Sequence, residues 1–314
     1  MKRVVFVTGA GGFIGSSAAR HYALTGDCVV GLGHRTNPCF AEEPPYLFEE
    51  TSIHLEVLEH LAKKHGLPAV IVHCAGSSSV AFSIERPRED FKKNVDSLLD
   101  VLEFSRKHDS SIKIIYLSSA AVYGTVENNI PIEETAPVRP ISPYGLHKCL
   151  SESLCAFHAR YWHIPLAVVR LFSVYGNGLR KQLLWDACNK LRQGRYFFEG
   201  TGKEERDWLH ISDVVKLLRM AESHATEDCP VVNGGTGAGH SVEDVLKRLG
   251  ELWNPVTAPV FSGTIRRGDP FYLVPDTARI KEWGFAPEMS LTEGLLSYLN
   301  WYKSTEDTQN RGSQ

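Results

Sequence analysis

A tyrosine and a lysine four residues apart, Tyr144 and Lys148, are the side chains of this chain best suited to moving a proton. Pro143 precedes them, and proline is common in the first turn of a helix, so the spacing predicts one helix face that carries both side chains. A phenol with a pKa of about 10 is a poor base at neutral pH, but a neighbouring ammonium favours the phenolate. Tyr144 is therefore a candidate proton carrier on a sugar or alcohol hydroxyl.

Two serines end a predicted strand. Residues 112–118 form an apolar run, and Ser118 and Ser119 stand at its carboxyl end, which is where open α/β sheets bind ligands. We expect Ser119 to hydrogen-bond the oxygen whose proton Tyr144 moves, and Ser118 to lie beside the same substrate.

A glycine-rich loop follows the first apolar run and precedes a stretch with helical spacing. Gly9 suits a tight turn, Gly12 lets backbone amides approach a pyrophosphate at the positive end of the helix, and Gly15 lets helix and strand pack closely. No Gly-Lys-Ser/Thr sequence follows, so a P-loop is excluded. The loop predicts a dinucleotide site lined also by Phe13 and Ile14, and an oxidised nicotinamide there would further favour a tyrosine phenolate.

The end of the second predicted strand, residues 28–32, lacks the carboxylate that usually binds the adenosine ribose hydroxyls. Arg35 lies nearby instead, and a guanidinium pairs well with a 2′-phosphate. The sequence therefore favours NADP slightly over NAD, unless Arg35 is an ordinary solvated loop residue.

Short apolar runs alternate with longer segments of helical spacing in the first half of the chain, which is typical of a parallel sheet with crossover helices. The predicted strands are residues 3–7, 28–32, 69–74, 112–118 and 165–171, and the predicted helices are 13–25, 53–65, 90–107 and 144–162. We predict an α/β fold, a Rossmann-type doubly wound parallel sheet with a smaller, interleaved C-terminal substrate lobe.

After about residue 175, glycines and prolines separate shorter elements, which indicates the second lobe. The predicted boundaries are 1–175 for the dinucleotide-binding domain, completed by about 207–235, and 176–206 with 236–303 for the substrate lobe. The last helix is predicted at 291–303, and the polar residues 304–314 are predicted to fray.

Composition excludes several classes of protein. The chain has 314 residues, with 34 Lys and Arg against 37 Asp and Glu. This near balance gives no overall positive potential that would attract nucleic acid or an anionic membrane. Its seven cysteines form no Cys-x-x-Cys pair, so we expect neither a zinc cage nor a disulfide framework, and a reduced, cytoplasmic setting. His73 beside Cys74 is interpreted as a cofactor-lining strand end, and no metal is expected, because no further ligands stand at metal spacing.

The motifs together resemble the extended short-chain dehydrogenase/reductase family, and within it the nucleotide-sugar epimerases and reductases. The matching segments are Thr8 to Gly15, His73-Cys74-Ala75-Gly76, Asn94, Ser118 to Gly124, Tyr144 to Lys148 and Arg170 to Gly178. The resemblance implies that Tyr144 is the base and that Lys148 holds the nicotinamide ribose. It further implies that Ser119 lies beside the reacting oxygen and that Ala75 lines the cofactor.

The same resemblance implies a homodimer. Its interface would be a four-helix bundle formed by the helix after residue 90 and the helix that starts near residue 144. Leu150, Leu154 and Phe157 are candidates for that interface, or equally for the chain's own core.

Two segments of the second lobe resemble the family's diphosphate-binding motifs. Arg206 lies in the first, and Arg266 and Asp269 lie in the second. The resemblance implies that the arginines clamp a diphosphate and that Asp269 contacts the nucleotide ribose, the alternative being two solvated arginines in surface pairs. Ser173 replaces the family's asparagine, and Phe198 is a candidate for stacking on the base, whose identity stays open.

The family's 4,6-dehydratases carry Thr-Asp-Glu at the strand end where this chain has Ser119, Ala120 and Ala121. Neither alanine can act as an acid or a base, so dehydration is not expected.

The sequence thus predicts an NAD(P)-dependent nucleoside-diphosphate-sugar 4-epimerase that acts through a transient 4-keto sugar. The alternative is an NADPH-dependent 4-ketoreductase of a 6-deoxy nucleotide sugar, which Arg35 favours. A third reading is a non-catalytic, cofactor-sensing regulator on the same scaffold, and the presence of both Tyr144 and Lys148 counts against it.

Overall fold

The apolar runs of the first half build one parallel sheet, which is the framework of the chain. The computed structural model describes residues 2–34, 45–126, 129–254, 258–264 and 270–311. Three of the predicted site residues, Arg35, Arg266 and Asp269, lie outside the described residues.

The elements of the described residues are as follows. The strands are β1 Val4–Thr8, β2 Cys28–Gly33, β3 Leu47–Glu50, β4 Val70–His73, β5 Lys113–Ser119, β6 Leu166–Leu171, β7 Ser173–Tyr175, β8 Phe197–Phe198, β9 Glu205–His210, β10 Val231–Gly234, β11 Gly239–Ser241, β12 Val260–Phe261 and β13 Tyr272–Leu273. The α-helices are α1 Phe13–Leu24, α2 Leu55–His65, α3 Val80–Glu85, α4 Pro87–Phe91, α5 Ser97–His108, α6 Pro143–Trp162, α7 Gln182–Arg192, α8 Ile211–His224, α9 Val242–Trp253, α10 Ala278–Glu282 and α11 Leu291–Arg311. A π-helical turn, Lys92–Asp96, joins α4 to α5, and a 3₁₀ turn, Ala120–Val122, follows β5.

The strand order of the first sheet is β10-β6-β5-β4-β1-β2-β3, and every neighbouring pair in it is parallel. The chain therefore winds outward in one direction from β1 to β3 and in the other from β4 to β10. Ligands of such sheets bind where the order reverses, at the carboxyl ends of the two central strands, here β1 and β4. The predicted Rossmann-type sheet is confirmed.

Alternation along β1 distributes its side chains between two cores. Val5 and Val7 face a core that includes residues of α1 and α8, whereas Phe6 faces a core that includes residues of α2, α5 and α6. Because both faces of the sheet are covered, its strands are nearly continuous apolar runs, which is why the sequence reveals them.

Most predicted elements of the first half coincide with observed ones to within a few residues. Two strands of this sheet, β3 and β10, were not predicted. β3 is short, lies at the sheet edge and contains two glutamates, Glu49 and Glu50, and β10 has four residues and ends in a glycine. Neither has the long apolar run that marks the central strands.

A second sheet is formed in the later part of the chain. Its strand β9 pairs with β7, β11 and β13, and a third core fills the space between this sheet and α7, α9 and α11. After β9 the chain returns to the first sheet, where α8 packs against α1 and β6.

The last helix, α11, continues to Arg311, eight residues beyond its predicted end at 303. Ser304 Oγ donates to the carbonyl of Trp301, and Thr305 Oγ1 donates to that of Tyr302, so these polar residues bond within the helix. No described helix has the length and apolarity needed to cross a bilayer.

Candidate active site

The glycine turn between β1 and α1 is held by contacts that no side chain would permit. Gly9 has φ +68°, and a Cβ on it would lie 2.7 Å from the backbone N of Ala75. A Cβ on Gly15 would lie 2.1 Å from the carbonyl oxygen of Gly9. The turn is therefore pressed against both the following helix and the end of β4, as the glycine spacing predicts.

The N-terminus of α1 is open to an anion. Its N-cap is Gly12, so no side chain caps the helix, and its first residues, Phe13 and Ile14, line the large cavity described below. Uncapped amide groups at a helix N-terminus bind phosphates. Together with the close approach of Gly9 to Ala75, this end of the cavity fits the pyrophosphate of a dinucleotide.

At the end of β4, His73 is a neutral, buried residue. Its Nδ1 lies 2.9 Å from Thr8 Oγ1, its ring stacks on Tyr116, and burial lowers its pKa to about 3. Thr8 Oγ1 also accepts a hydrogen bond from the backbone N–H of Ala75. The Thr8 hydroxyl, which His73 contacts, therefore fixes the loop that carries Ala75. In the described part of the chain no group of three His, Cys, Asp or Glu side chains could hold a metal ion.

The helix α6 places the tyrosine and the lysine as predicted. Ser142 Oγ caps the helix by accepting from Gly145 N–H, and Pro143 occupies the first turn. A Cβ on Gly145 would lie 2.5 Å from the carbonyl of Ala121, so the start of α6 packs directly on the turn after β5. Tyr144 and Lys148 line the same cavity with Ser119, and they are only 8% and 5% exposed.

Lys148 is held by backbone and ring contacts on its own side of the cavity. Its Nζ donates to the carbonyl of Leu117 at 2.8 Å and lies 4.9 Å from the ring centroid of Tyr116 and 5.9 Å from that of Tyr144. Burial lowers the pKa of Lys148 to about 8, and the nearby carboxylate of Asp90 opposes this shift. The ammonium is thus positioned next to the tyrosine ring at a cost in hydration.

Burial raises the pKa of Tyr144, which differs from the expectation that its lysine neighbour lowers it. A hydrogen bond with Ser119 acts in the opposite direction, whereas the Asp90 carboxylate raises this pKa further. The protein alone therefore does not favour the phenolate, and a positively charged group added to the cavity would have to do so.

Two further groups of the site have no assigned role in the sequence analysis. Asn94 lies in the π-helical turn, a feature that often marks functional sites, and its Oδ1 is buried without a partner while its Nδ2 donates to Asp90 O. A Cβ on Gly76 would lie 2.6 Å from Asn94 Oδ1 and 3.7 Å from Lys148 Nζ. Asp90 also pairs with His147 at 2.6 Å, so the residue between the tyrosine and the lysine in sequence anchors the back of the site.

Ser118 lines the cavity, as expected for a substrate residue, but its hydroxyl proton is engaged within the protein. It is buried, and its Oγ donates to Glu152 Oε1 at 2.5 Å. Glu152 in turn receives a bidentate pair from Arg170, which also donates to Tyr123 Oη at 2.9 Å. The Ser118 hydroxyl therefore belongs to a buried network that ties β5 to α6 and β6.

The other predicted substrate residues that are described, apart from Ser118 and Ser119 of β5, lie on or near the second sheet. Ser173 and Arg206 line the cavity, and Arg206 Nη1 donates to the carbonyls of Glu205 and Phe271. Phe198 lies at the wall but is only 3% exposed, with Lys190 Nζ 4.4 Å from its ring centroid and Tyr196 against its edge. Its ring face is thus largely covered, which limits stacking on a base.

The residue after Arg206 is structural. Asp207 is fully buried, and its carboxylate accepts hydrogen bonds from the backbone N–H groups of Thr236, Gly237 and Ala238. It therefore fastens the loop after β10 to β9.

One cavity of about 1080 Å³ joins these parts. Its walls include Gly12, Ala75, Ser119, Tyr144, Ser173 and Arg206, which extend from the glycine turn to the second sheet. This volume exceeds that of an ordinary small-molecule pocket of about 300–1,000 Å³, which fits a dinucleotide and a second ligand side by side. Arg180 and Lys181 also line it, and sequence reasoning missed them because they match no motif.

Comparison with known proteins agrees with this geometry. Residues 5–233 match the NAD dependent epimerase/dehydratase family. The chain belongs to this family. The chain is 29% identical over 330 residues to the UDP-glucose 4-epimerase of Azospirillum brasilense, with 97% of this chain and 93% of that protein covered.

Solved structures of the family are similar over nearly the whole chain. The UDP-glucose 4-epimerase of Thermotoga maritima, crystallised with UDP-glucose, is 30% identical with a TM-score of 0.87 and covers 96% of this chain and 99% of its own. TunA, an NAD dependent NDP-hexosamine 5,6-dehydratase of tunicamycin biosynthesis, is 28% identical with a TM-score of 0.85 and covers 96% and 98%. The family thus includes dehydratases, so the exclusion of 4,6-dehydration rests on Ala120 and Ala121 alone and has no support from the comparisons.

Proposed function

We propose that this chain is a nucleoside-diphosphate-sugar 4-epimerase that works with NAD. The proposal depends on one observation. Ser119, Tyr144 and Lys148 line the same cavity as the glycine turn that contains Gly9 and Gly15. Relatives that are UDP-glucose 4-epimerases support UDP as the nucleotide.

The choice of NAD over NADP is part of this proposal. The family is described as NAD dependent, and the preference for NADP depends on Arg35, which lies outside the described residues. Tighter binding of NADP than of NAD would reinstate a 2′-phosphate contact with Arg35.

NAD held by the turn of Gly9 and Gly12, by Ala75 and by Lys148 would supply reversible hydride transfer at C4 of the sugar, and its positive charge would favour the phenolate against the cost of burial. In the proposed mechanism the Ser119 hydroxyl holds the C4 oxygen, and Tyr144 takes the hydroxyl proton as the C4–H bond breaks. The keto sugar then turns to present its other face, and the same tyrosine returns the proton to that oxygen as C4–H re-forms on this opposite face. Lys148 holds the nicotinamide ribose and keeps its charge beside the phenol. Because the hydride that leaves C4 returns to C4, neither the sugar nor the cofactor changes its oxidation state over a full turnover.

The site residues have proposed roles by position. Gly12, Phe13, Ile14 and Ala75 contact the dinucleotide, and Ser173 and Arg206 contact the diphosphate of the sugar nucleotide. Arg266 and Asp269 keep the roles that the family resemblance implies.

A single set of assays tests the proposal. Purified protein is denatured, the released nicotinamide is quantified, and fresh protein is given UDP-glucose, UDP-galactose or a UDP-4-keto-6-deoxy sugar with NADPH. Conversion between the first two sugars without net cofactor consumption is the expected result. Stoichiometric NADPH oxidation would replace the epimerase with the ketoreductase, and a 4-keto-6-deoxy product from UDP-glucose would establish dehydration. No turnover of these sugars or of UDP-glucuronate by either wild type or Tyr144→Phe would favour a cofactor-sensing regulator.

We also propose that the protein is cytoplasmic, that it forms a homodimer, and that each chain has the lobe boundaries given above. Support for the dimer is an exposed apolar stripe on α6, formed by Leu146, Leu150, Phe157 and Tyr161, with Leu99 of α5 exposed as well. Leu154 instead packs against the chain's own core. Apolar side chains spaced along one helix face in this way are typical of a helix-bundle interface.

A further inference from the structure

Lys181 reaches across the cavity from the second lobe to the first. It is the N-cap residue of α7, and its Nζ donates to Ser78 Oγ at 2.7 Å. Ser78 belongs to the loop that follows β4, and both residues line the cavity. Lys181 therefore places an ammonium group in the cavity wall, next to the loop that follows β4.

The charge of Lys181 is not balanced by the acids around it. Among the described residues it has no ion-pair partner. Three of the described acids line the same cavity: Asp186 pairs with Lys190 at 2.7 Å, Glu204 accepts hydrogen bonds from Thr201, and Glu199 forms no ion pair with Lys181. The side chain is exposed to the cavity, yet the surrounding walls partly desolvate it and lower its pKa. A partly desolvated cation without an acidic partner favours an anionic ligand.

The surroundings of Lys181 add to the positive potential. No side chain caps the N-terminus of α7, so its first amide groups stay available to an acceptor. Arg180 is adjacent, and its guanidinium carbon lies 5.7 Å from the ring centroid of Trp185 and 5.8 Å from that of Trp301. These rings fix Arg180 at the edge of the same region.

The hydrogen-bond partner of Lys181 indicates which anionic group of a bound ligand its ammonium would contact. Its partner Ser78 is two residues after Gly76, the glycine packed against Asn94 and Lys148. The cation assigned to the diphosphate, Arg206, lies instead on β9 of the second sheet. Lys181 is therefore tied to the loop whose Gly76 approaches Lys148, whereas Arg206 comes from the second sheet.

We propose that Lys181 binds a carboxylate carried by the sugar itself, so that the substrate class of this site is nucleoside-diphosphate hexuronates. This inference rests on the proposed function, of which it names the substrate. In this arrangement the carboxylate at C5 of the hexuronate replaces the Ser78 hydroxyl, or joins it, as the partner of the ammonium. Arg180 and the N-terminus of α7 favour the same charge at longer range.

Binding and turnover of two ligands that differ only in this carboxylate test the proposal. Dissociation constants for UDP-glucuronate and UDP-glucose are measured by calorimetry on the NAD-loaded protein, together with kcat/KM for 4-epimerisation. We expect the wild type to prefer UDP-glucuronate. Lys181→Gln should weaken UDP-glucuronate about 10- to 100-fold, the range of a charge-assisted hydrogen bond, and at least tenfold more than it weakens UDP-glucose.

Two further variants control the experiment. Lys181→Arg keeps the charge and should restore a large part of the preference, whereas Lys247→Gln, which removes an exposed lysine of α9, should leave both dissociation constants unchanged. Equal weakening of both ligands by Lys181→Gln would assign Lys181 to the diphosphate and overturn the proposal, as would a wild type that binds UDP-glucose more tightly. Binding preference without turnover of either ligand would leave this inference standing and reject the epimerase.

Discussion

The charge of Lys148 is held inside the protein, and we predict that removing it stabilises the fold. The pKa of this lysine falls from 10.5 to about 8 because of burial, and one pKa unit corresponds to about 1.4 kcal/mol. The buried charge therefore costs about 3 kcal/mol, and the lost hydrogen bond to Leu117 O offsets about 1 kcal/mol of the gain. Lys148→Met should raise the free energy of unfolding by about 2 kcal/mol in urea titrations, while abolishing epimerisation.

The same variant has a defined pH signature. Between pH 8 and 10.5 the unfolded chain still binds the Lys148 proton that the folded chain has released, so this lysine's contribution to the free energy of unfolding rises with pH across that window. The advantage of Lys148→Met should be largest below pH 8 and shrink above it. Lys247→Met is the matched control on the surface, and an advantage independent of pH would contradict the explanation.

The phenol of Tyr144 is the second residue whose removal has a specific expected effect. Tyr144→Phe keeps the ring and its packing but removes the group that moves the proton, so kcat should fall about 10²- to 10⁴-fold with nicotinamide affinity retained. Tyr161→Phe, at an exposed position of the same helix, should retain full activity. Epimerisation by Tyr144→Phe at more than about a tenth of the wild-type rate would show that another group carries the proton.

At the scale of single residues, sequence reasoning predicted that Tyr144 and Lys148 share one cavity but not the electrostatics of the pair. The spacing of Tyr144 and Lys148 is a local property of one helix, so it can be read from the chain. The direction of the pKa shift of Tyr144 depends on burial and on Asp90, which comes from a different helix. Lys181 was missed because its partner Ser78 lies 103 positions away in the chain. Asn94 has no assigned role from sequence because the glycine that approaches its Oδ1, Gly76, comes from the loop after β4.

Among the elements, the β1–α1 turn should be the least tolerant of substitution. Gly15→Ala would place a methyl group 2.1 Å from the Gly9 carbonyl, so either the helix or the turn must shift, and overpacking of this kind costs about 1–3 kcal/mol. We expect at least about a tenfold loss of NADH affinity in a fluorescence titration, because the α1 amide groups move with the turn. Ser17→Ala, on the same helix, should bind NADH like the wild type, and unchanged affinity in Gly15→Ala would refute the fit of the turn to a pyrophosphate.

Central elements were predictable and peripheral ones were not. Buried strands such as β1 and β5 are continuous apolar runs because helices cover both of their faces. The edge strand β3 has two glutamates, and β7, β8, β12 and β13 have two or three residues each. Such short strands exist because a partner strand is present, and the chain alone contains no signal of the partner.

At the scale of the whole molecule, the exposed stripe on α6 should determine the oligomeric state. Phe157 is 54% exposed and Leu150 is 41% exposed, and burying a charge at such an interface without a partner is costly. Phe157→Glu should therefore convert the dimer to a monomer in sedimentation velocity, with its far-ultraviolet circular dichroism unchanged. Leu67→Glu alters an apolar residue of similar exposure away from α6 and should remain dimeric, and a wild type that sediments as a monomer would refute the dimer.

The overall architecture followed from the alternation of strand and helix patterns, because parallel strands require crossover connections. The second sheet could not be predicted in this way. Its strand β9 pairs with β7, which precedes it in the chain, and with β11 and β13, which follow it. The cavity between the sheets, with its lysine from α7, is consequently a property of the folded molecule that no local stretch encodes.

The course of the backbone between the two sheets restricts how this scaffold can be recombined. The chain leaves the first sheet after β6, builds β7, α7 and β9, supplies α8 and β10 to the first sheet, and then returns to complete the second. A chimaeric protein with a single crossover point would therefore combine part of the substrate pocket of one parent with part of the pocket of the other. Transplanting sugar selectivity from a relative would need at least two exchanged segments, with the α8–β10 stretch retained from the recipient.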